Sequence, residues 1–169
     1  MKLRKLQIND ALLMLEWMHD KSVVENMQTD FASKTIDDCR TFIENSYDEN
    51  KSVHLAITDD SDIYMGTASL KNINNNTAEF AITVRSEAMG KGYSIYGMNN
   101  IISFGFEQLK LKKIYWCVNG DNKRAVRFYD KNGFIRINIY ENSLIDIIRS
   151  NGIYTEEQIF KYIWYVVEK

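Results

Sequence analysis

Val84-Arg85-Ser86-Glu87-Ala88-Met89-Gly90-Lys91-Gly92-Tyr93-Ser94 decides how this chain is read: an alternating run ends there, two closely spaced glycines follow, and a helical pattern begins. Glycine opens backbone conformations closed to other residues and allows close approach to a ligand. The first turn of the helix after it presents N–H groups without intrahelical acceptors. Such a junction can hold an anion, and phosphate is the natural guest. Two nucleotide motifs are excluded by the residues themselves. A dinucleotide fingerprint needs a third Gly where Ile95 stands, and a P-loop needs Gly at Arg85 and Ser or Thr at Gly92. A lone Gly-Lys-Gly is also compatible with a plain turn before a surface helix, so the flanking chain must decide.

Upstream, Thr77 to Val84 alternates as a strand, with Phe80, Ile82 and Val84 on one face and Glu79, Ala81 and Thr83 on the other. Downstream, Ile95, Met98, Ile102, Phe106 and Leu109 recur at three- and four-residue steps, which predicts a helix with one apolar stripe to about Lys110. Lys113 to Val118 reads as a short buried strand. Asn119-Gly120-Asp121 turns the chain into a helix carrying Ala125, Val126, Phe128 and Tyr129, and Asn132-Gly133 stops it.

The earlier chain gives an opening strand from Leu3 to Ile8 and a helix from Ala11, with Asn9-Asp10 as its start signal. Asp20 to Asp30 is polar and unassigned. Thr35-x-x-Asp38 has the spacing of a capping box before a second helix through Cys39, Phe42, Ile43 and Tyr47. Val53–Thr58 and Ile63–Leu70 form a hairpin, and Asn72 to Asn76 supplies the next turn. Late in the chain, Phe134 to Ile139 reads as a strand, Leu144 to Ile148 as a less regular stretch, and Ile159 to Val167 as the last strand.

At 169 residues, 45% hydrophobic and 26% charged, the chain suits one α/β domain. A formal net charge of −2 without a basic tract argues against nucleic acid as a partner. No apolar run is long enough to span a bilayer, and Cys39 and Cys117 lie far apart, so a soluble protein of the reducing cytoplasm is expected. His19 and His54 have no ligand-like spacing, so no metal is expected.

The order strand, two helices, three-strand meander, helix, strand, helix and two closing strands resembles the GCN5-related N-acetyltransferase (GNAT) family from Leu3 to about Val167. Two motifs carry the resemblance. The first is the glycine loop, met at Gly90 and Gly92 but with Glu87 where the family has Arg or Gln. The second is Asn122-x-x-Ala125-x-x-x-Tyr129-x-x-x-Gly133-Phe134. The resemblance implies a central mixed, largely antiparallel twisted sheet of six to seven strands with about four helices, splayed between the fourth and fifth strands, in one domain over 1–169.

It also implies acetyl-coenzyme A as donor, with no metal, and a primary amine as acceptor. The coenzyme contacts implied are Ile82, Thr83 and Val84 along the splayed strand, Met89, Gly90, Lys91, Gly92, Tyr93 and Ser94 at the diphosphate, and Asn122, Ala125 and Tyr129 on the far wall. An alkyl ammonium must lose a proton before it attacks a thioester. Glu79 is the candidate base, directly or through water, or else a substrate-positioning carboxylate. The Ile82 N–H would meet the oxyanion and Tyr129 would return a proton to the departing thiolate. Cys117 is read as a strand residue, with direct transfer in a ternary complex rather than an acetyl-enzyme.

The segments Leu13–Phe31 and Asn138–Phe160 are expected to frame the acceptor pocket. A small amine such as an amino sugar, polyamine or aminoglycoside-like molecule ranks first. A protein amino terminus of the ribosomal-protein type is the second enzyme reading, and a non-catalytic acyl-coenzyme-A-binding module the alternative from another class. A homodimer through the closing strands stays open beside a monomer.

Overall fold

The computed structural model describes every residue except Gln28 and Asn75. Its strands and helices in chain order are β1 (Lys2–Lys5), α1 (Ala11–Met18), α2 (Lys21–Val24), α3 (Ile36–Glu44), β2 (Tyr47–Asp48), β3 (Ser52–Thr58), β4 (Tyr64–Asn74) and β5 (Thr77–Val84), then α4 (Tyr93–Glu107), β6 (Lys113–Val118), α5 (Lys123–Lys131), β7 (Arg136–Ile137), α6 (Leu144–Asn151), α7 (Glu156–Lys161) and β8 (Ile163–Glu168). Short 3-10 turns occupy Ile8–Asp10, Ser86–Ala88 and Ile139–Glu141.

The strands form one sheet in the order β1-β3-β4-β5-β6-β8-β7, with β2 paired to β3, and every pairing is antiparallel except β5 with β6. Side chains alternate across each strand, so the sheet presents two apolar faces. One is covered by α4 and α5, whose Met98, Ile101 and Tyr129 join Leu55, Ile57, Leu70, Phe80 and Trp116. The other is covered in two parts. Over β3 and β4 lie α1 and α3 with Met14, Trp17, Cys39 and Ile43, and over β6 and β8 lie α6 and α7 with Leu144, Ile148 and Ile159. Gly97 allows α4 to sit tight on the sheet, since a Cβ there would lie 2.3 Å from the Ile57 side chain.

The sheet opens between β5 and β6, which pair only at Thr77–Lys113, Ala78–Ile114 and Glu79–Tyr115. Beyond that point β6 continues antiparallel with β8 as far as Val118, while β5 keeps only β4. This is the expected splay. It falls at the fifth and sixth strands because the two-residue β2 adds one to the count, giving eight strands rather than six or seven and seven helices rather than about four among the described residues.

Several boundaries differ from expectation. The opening strand ends at Lys5 because the Gln7 N–H donates to Asp10 Oδ2 at 2.8 Å and starts a turn, with Arg4 bonded to both Asp10 oxygens at 2.7 and 2.8 Å. β4 runs on into the expected Asn72–Asn76 turn as far as Asn74, through a register shift beside Asn72, which takes φ +52°. Asn75 of that turn, and Gln28 in the unassigned polar segment, lie outside the described residues. The strand expected over 134–139 shrinks to Arg136–Ile137, and the irregular stretch is α6. The last strand begins at Ile163 rather than Ile159, because Thr155 and Gln158 form a reciprocal capping box that starts α7.

Candidate active site

The site grows from the unpaired edge of β5. Successive N–H groups of an extended strand point to alternate sides, and the Arg85 N–H donates across to the Met65 carbonyl of β4 at 3.0 Å. The N–H groups of Ile82 and Val84 therefore point the other way, to the side that β6 has left. A cleft of about 210 Å³ follows this edge, lined by Ile82, Thr83, Val84, Gly90, Asn122 and Tyr129 among others.

At the end of β5 the chain makes the Ser86–Ala88 turn and enters the glycine loop. Gly90 and Gly92 adopt φ +74° and +88°, which disfavours any residue with a Cβ. The Met89 and Lys91 N–H groups are used inside the loop, donating to Ser86 at 3.1 Å and Ala88 at 3.4 Å. The amides of Gly90, Gly92, Tyr93 and Ser94 have no acceptor among the described residues, and Gly92 brings no capping side chain to α4. Unsatisfied donors in the loop and the first turn of the helix suit a diphosphate. Glu87 does not intrude, because its Oε2 lies 3.2 Å from Arg85 Nη2.

Arg85, only 6% exposed, was not singled out by the sequence reading. Its guanidinium donates to Glu16 Oε1 at 3.0 and 2.8 Å and to the Tyr64 carbonyl at 3.2 Å, fastening α1 to the start of the loop. A second omission is cationic. Lys123, Arg124, Arg127 and Lys131 line a groove of about 480 Å³ that shares Gly90 and Ser94 with the cleft. Their helical spacing was the available signal, though it equally describes a solvated helix face.

Across the cleft, Asn122 caps α5 by accepting from the Ala125 N–H at 3.1 Å, and both residues line the cleft. Tyr129, one turn further on, is 8% exposed. Its ring is set among Trp116, Phe128, Phe134 and Tyr165, with centroids 5.1 to 6.3 Å away. Its hydroxyl has no hydrogen-bond partner among the described residues, and burial raises its pKa above the usual tyrosine value. Burial likewise pushes the Cys117 thiol up to about 12, so it stays protonated and is no nucleophile at neutral pH.

A second cavity, of about 550 Å³, lies over the face of β3, β4 and β5 beneath α1 and α3 and shares Ile82 and Thr83 with the cleft. Trp17, Phe31, Phe42 and His54 contribute to its walls. His54 Nδ1 is 2.8 Å from Ser69 Oγ, and burial, with Lys71 nearby, pulls the ring down to about 4, so it is neutral. The first expected framing segment thus reaches the cavity. The late segment, 138–160, contributes no wall residue and forms the separate cluster around Tyr115 and Trp164.

One residue of that segment does reach across. Tyr154 donates to Glu79 Oε1 at 2.7 Å, and Lys71 and Asn72 hold the same carboxylate at 3.2 and 2.9 Å. Glu79 is 3% exposed, sits at the last pairing before the splay and lines neither cavity. Among the described residues no group of three or more His, Cys, Asp or Glu is placed to hold a metal ion, and no helix is long and apolar enough to cross a membrane.

Residues 1–135 match the family model of the acetyltransferase (GNAT) domain. This chain belongs to the GNAT acetyltransferase family. GNAT relatives include a spermidine N(1)-acetyltransferase of Vibrio cholerae, 31% identical in an alignment of length 124 that covers 66% of this chain and 69% of that protein. Another is the acetyltransferase PseH of Campylobacter jejuni, 23% identical over 77% of this chain and 80% of its own. The GNAT fold is shared with the crystal structure of spermidine N-acetyltransferase from Vibrio cholerae in complex with CoA and spermine, at a TM-score of 0.75 and 20% identity, covering 99% of this chain and 94% of that one.

Proposed function

We propose that this GNAT protein moves an acetyl group from acetyl-coenzyme A to the primary amine of a small molecule by direct attack within a ternary complex. One observation carries the reading: the cleft along the free edge of β5 and the cavity over its face meet at Ile82 and Thr83. A thioester laid along that edge and an amine held against that face would come together at these two residues. The relatives' names, a spermidine acetyltransferase and PseH, support a small acceptor.

In this reading the free amides of Gly90, Gly92, Tyr93 and Ser94 grip the diphosphate of the coenzyme. Lys123, Arg127 and Lys131 face the phosphate on its ribose, and Thr83 and Val84 run beside its arm with Asn122 and Ala125 opposite. The acceptor ammonium gives its proton to solvent water before it attacks, and the Ile82 N–H stabilises the oxyanion that then develops. Tyr129, protonated throughout the neutral range, supplies a proton to the departing thiolate. For Glu79 we propose positioning: its carboxylate is committed to Lys71, Asn72 and Tyr154, and it holds Lys71 at the cavity wall. Its unpaired Cys39 and Cys117 suit a reducing cytoplasm, and we treat 1–169 as one acetyltransferase unit because the sheet runs from β1 to β8.

The test is coenzyme A thiol release from acetyl-coenzyme A across a panel of primary amines, beside thermal shift with the coenzyme alone. Amine-dependent release is the expected result. Stabilisation by acetyl-coenzyme A with no release from any amine would leave a binding module instead.

A further inference from the structure

Resting on the acceptor role proposed for the larger cavity, we infer that its substrate is a monoamine with an uncharged body bearing an apolar or aromatic face, and not a polycation. A polyamine carries several ammonium groups at neutral pH, and each one taken out of water needs an anionic or strongly polar partner. The walls supply a single carboxylate for that purpose. Asp38 is the one carboxylate lining the cavity among the described residues. Its Oδ2 already accepts from the Thr35 N–H and hydroxyl, both at 2.8 Å, in the box that starts α3. Lys34 and Lys71 also line the cavity, so two cations, one of them paired with Glu79, stand there beside one anion that has a single oxygen taken up.

Glu16, Asp37 and Glu79 do not line the cavity. Glu16 is taken by Arg85, Asp37 by Arg40 and Glu79 by Lys71. What the walls do offer is aromatic and aliphatic surface from Trp17, Phe31, Phe42 and Met14, with hydroxyls from Thr41, Thr67, Ser69 and Thr83 and the Asn45 amide. Concave apolar surface with a few directed polar groups is the make-up of a site for a compact organic molecule. The name of the Vibrio cholerae relative therefore does not carry its polyamine to this chain.

Calorimetric titration of the protein with phenethylamine and, separately, spermidine decides the point without relying on turnover. Phenethylamine is expected to bind at least about tenfold more tightly. Equal affinity, tighter spermidine, or saturation by neither at millimolar concentration overturns the inference. A parallel titration with acetyl-coenzyme A reports on the acetyltransferase reading by itself, so the two failures are distinguishable. Phe42→Glu, at a partly exposed wall position, adds the missing anion and is expected to move the affinity ratio toward spermidine by about tenfold or more. An unmoved ratio in a folded variant, checked by circular dichroism, also counts against it.

Discussion

Arg85 Nη2 lies 3.2 Å from Glu87 Oε2, so the acid standing where the family has Arg or Gln is held by a residue two positions before it. The same guanidinium holds Glu16 of α1. Replacing Arg85 by Met should cost roughly 1–3 kcal/mol of stability, from lost hydrogen bonds to charged partners. It should also weaken acetyl-coenzyme A binding, because Glu87 is freed beside the loop proposed to hold the diphosphate. Adding Glu87→Gln to that variant should restore affinity without restoring stability, as read by calorimetry and thermal melts. Recovery of both together would mean that the pair does not act as described.

Tyr129→Phe removes only a hydroxyl that has no partner in the fold among the described residues. Stability and coenzyme affinity should change little, while kcat drops on the order of a hundredfold, the usual worth of a positioned acid. Steady-state thiol release beside a coenzyme titration separates the two. A full-rate variant would remove the acid role.

Gly90 has nothing within 4 Å of the place a Cβ would occupy, so Gly90→Ala acts through backbone strain at φ +74° and not through a clash. The expected cost is about 1–2 kcal/mol. Loss of loop geometry should weaken acetyl-coenzyme A by about tenfold or more, leaving amine affinity untouched. Equal losses for both ligands would contradict the separate placement of donor and acceptor.

Glu79→Gln keeps an acceptor for Tyr154 but releases Lys71 at the cavity wall. If Glu79 positions, the KM for the amine should rise by roughly fivefold to tenfold with a smaller change in kcat, in line with the loss of one charge-assisted contact. A fall in kcat of a hundredfold at constant KM would instead make it the base.

His54 is neutral in the fold, with its pKa drawn down to about 4 from 6.5. Below pH 6.5 the unfolded chain takes up a proton that the folded ring refuses, so stability falls as pH drops from 6.5 toward 4 and this contribution then levels off. Discounted for the ring's partial exposure, the loss is on the order of 2 kcal/mol. His54→Asn should flatten that part of the curve in denaturant melts across pH. A variant curve parallel to that of the parent would assign the loss to other groups.

Much of the architecture was legible because its signals are local. The bounds of β5 and β6 were readable to the residue from alternation and flanking turns, and Thr35 with Asp38 marked the start of α3. The glycine loop was legible for the same reason. What stayed hidden depends on distance along the chain. Arg85 meets Glu16 across 69 residues and Tyr154 meets Glu79 across 75, and neither partner is marked by spacing. The start of α7 was a different kind of miss. The Thr155 and Gln158 box was present in the sequence, but the apolar run after it also fits a strand, and the helix takes its first part.

The cleft and the cavity proposed for donor and acceptor lie along the edge and over the face of the same strand, sharing Ile82 and Thr83 and no other lining residue among the described ones. Neither molecule has to pass through the other's berth. With that placement either reactant can load first, so initial-rate plots should intersect rather than run parallel, and product inhibition should show no compulsory order.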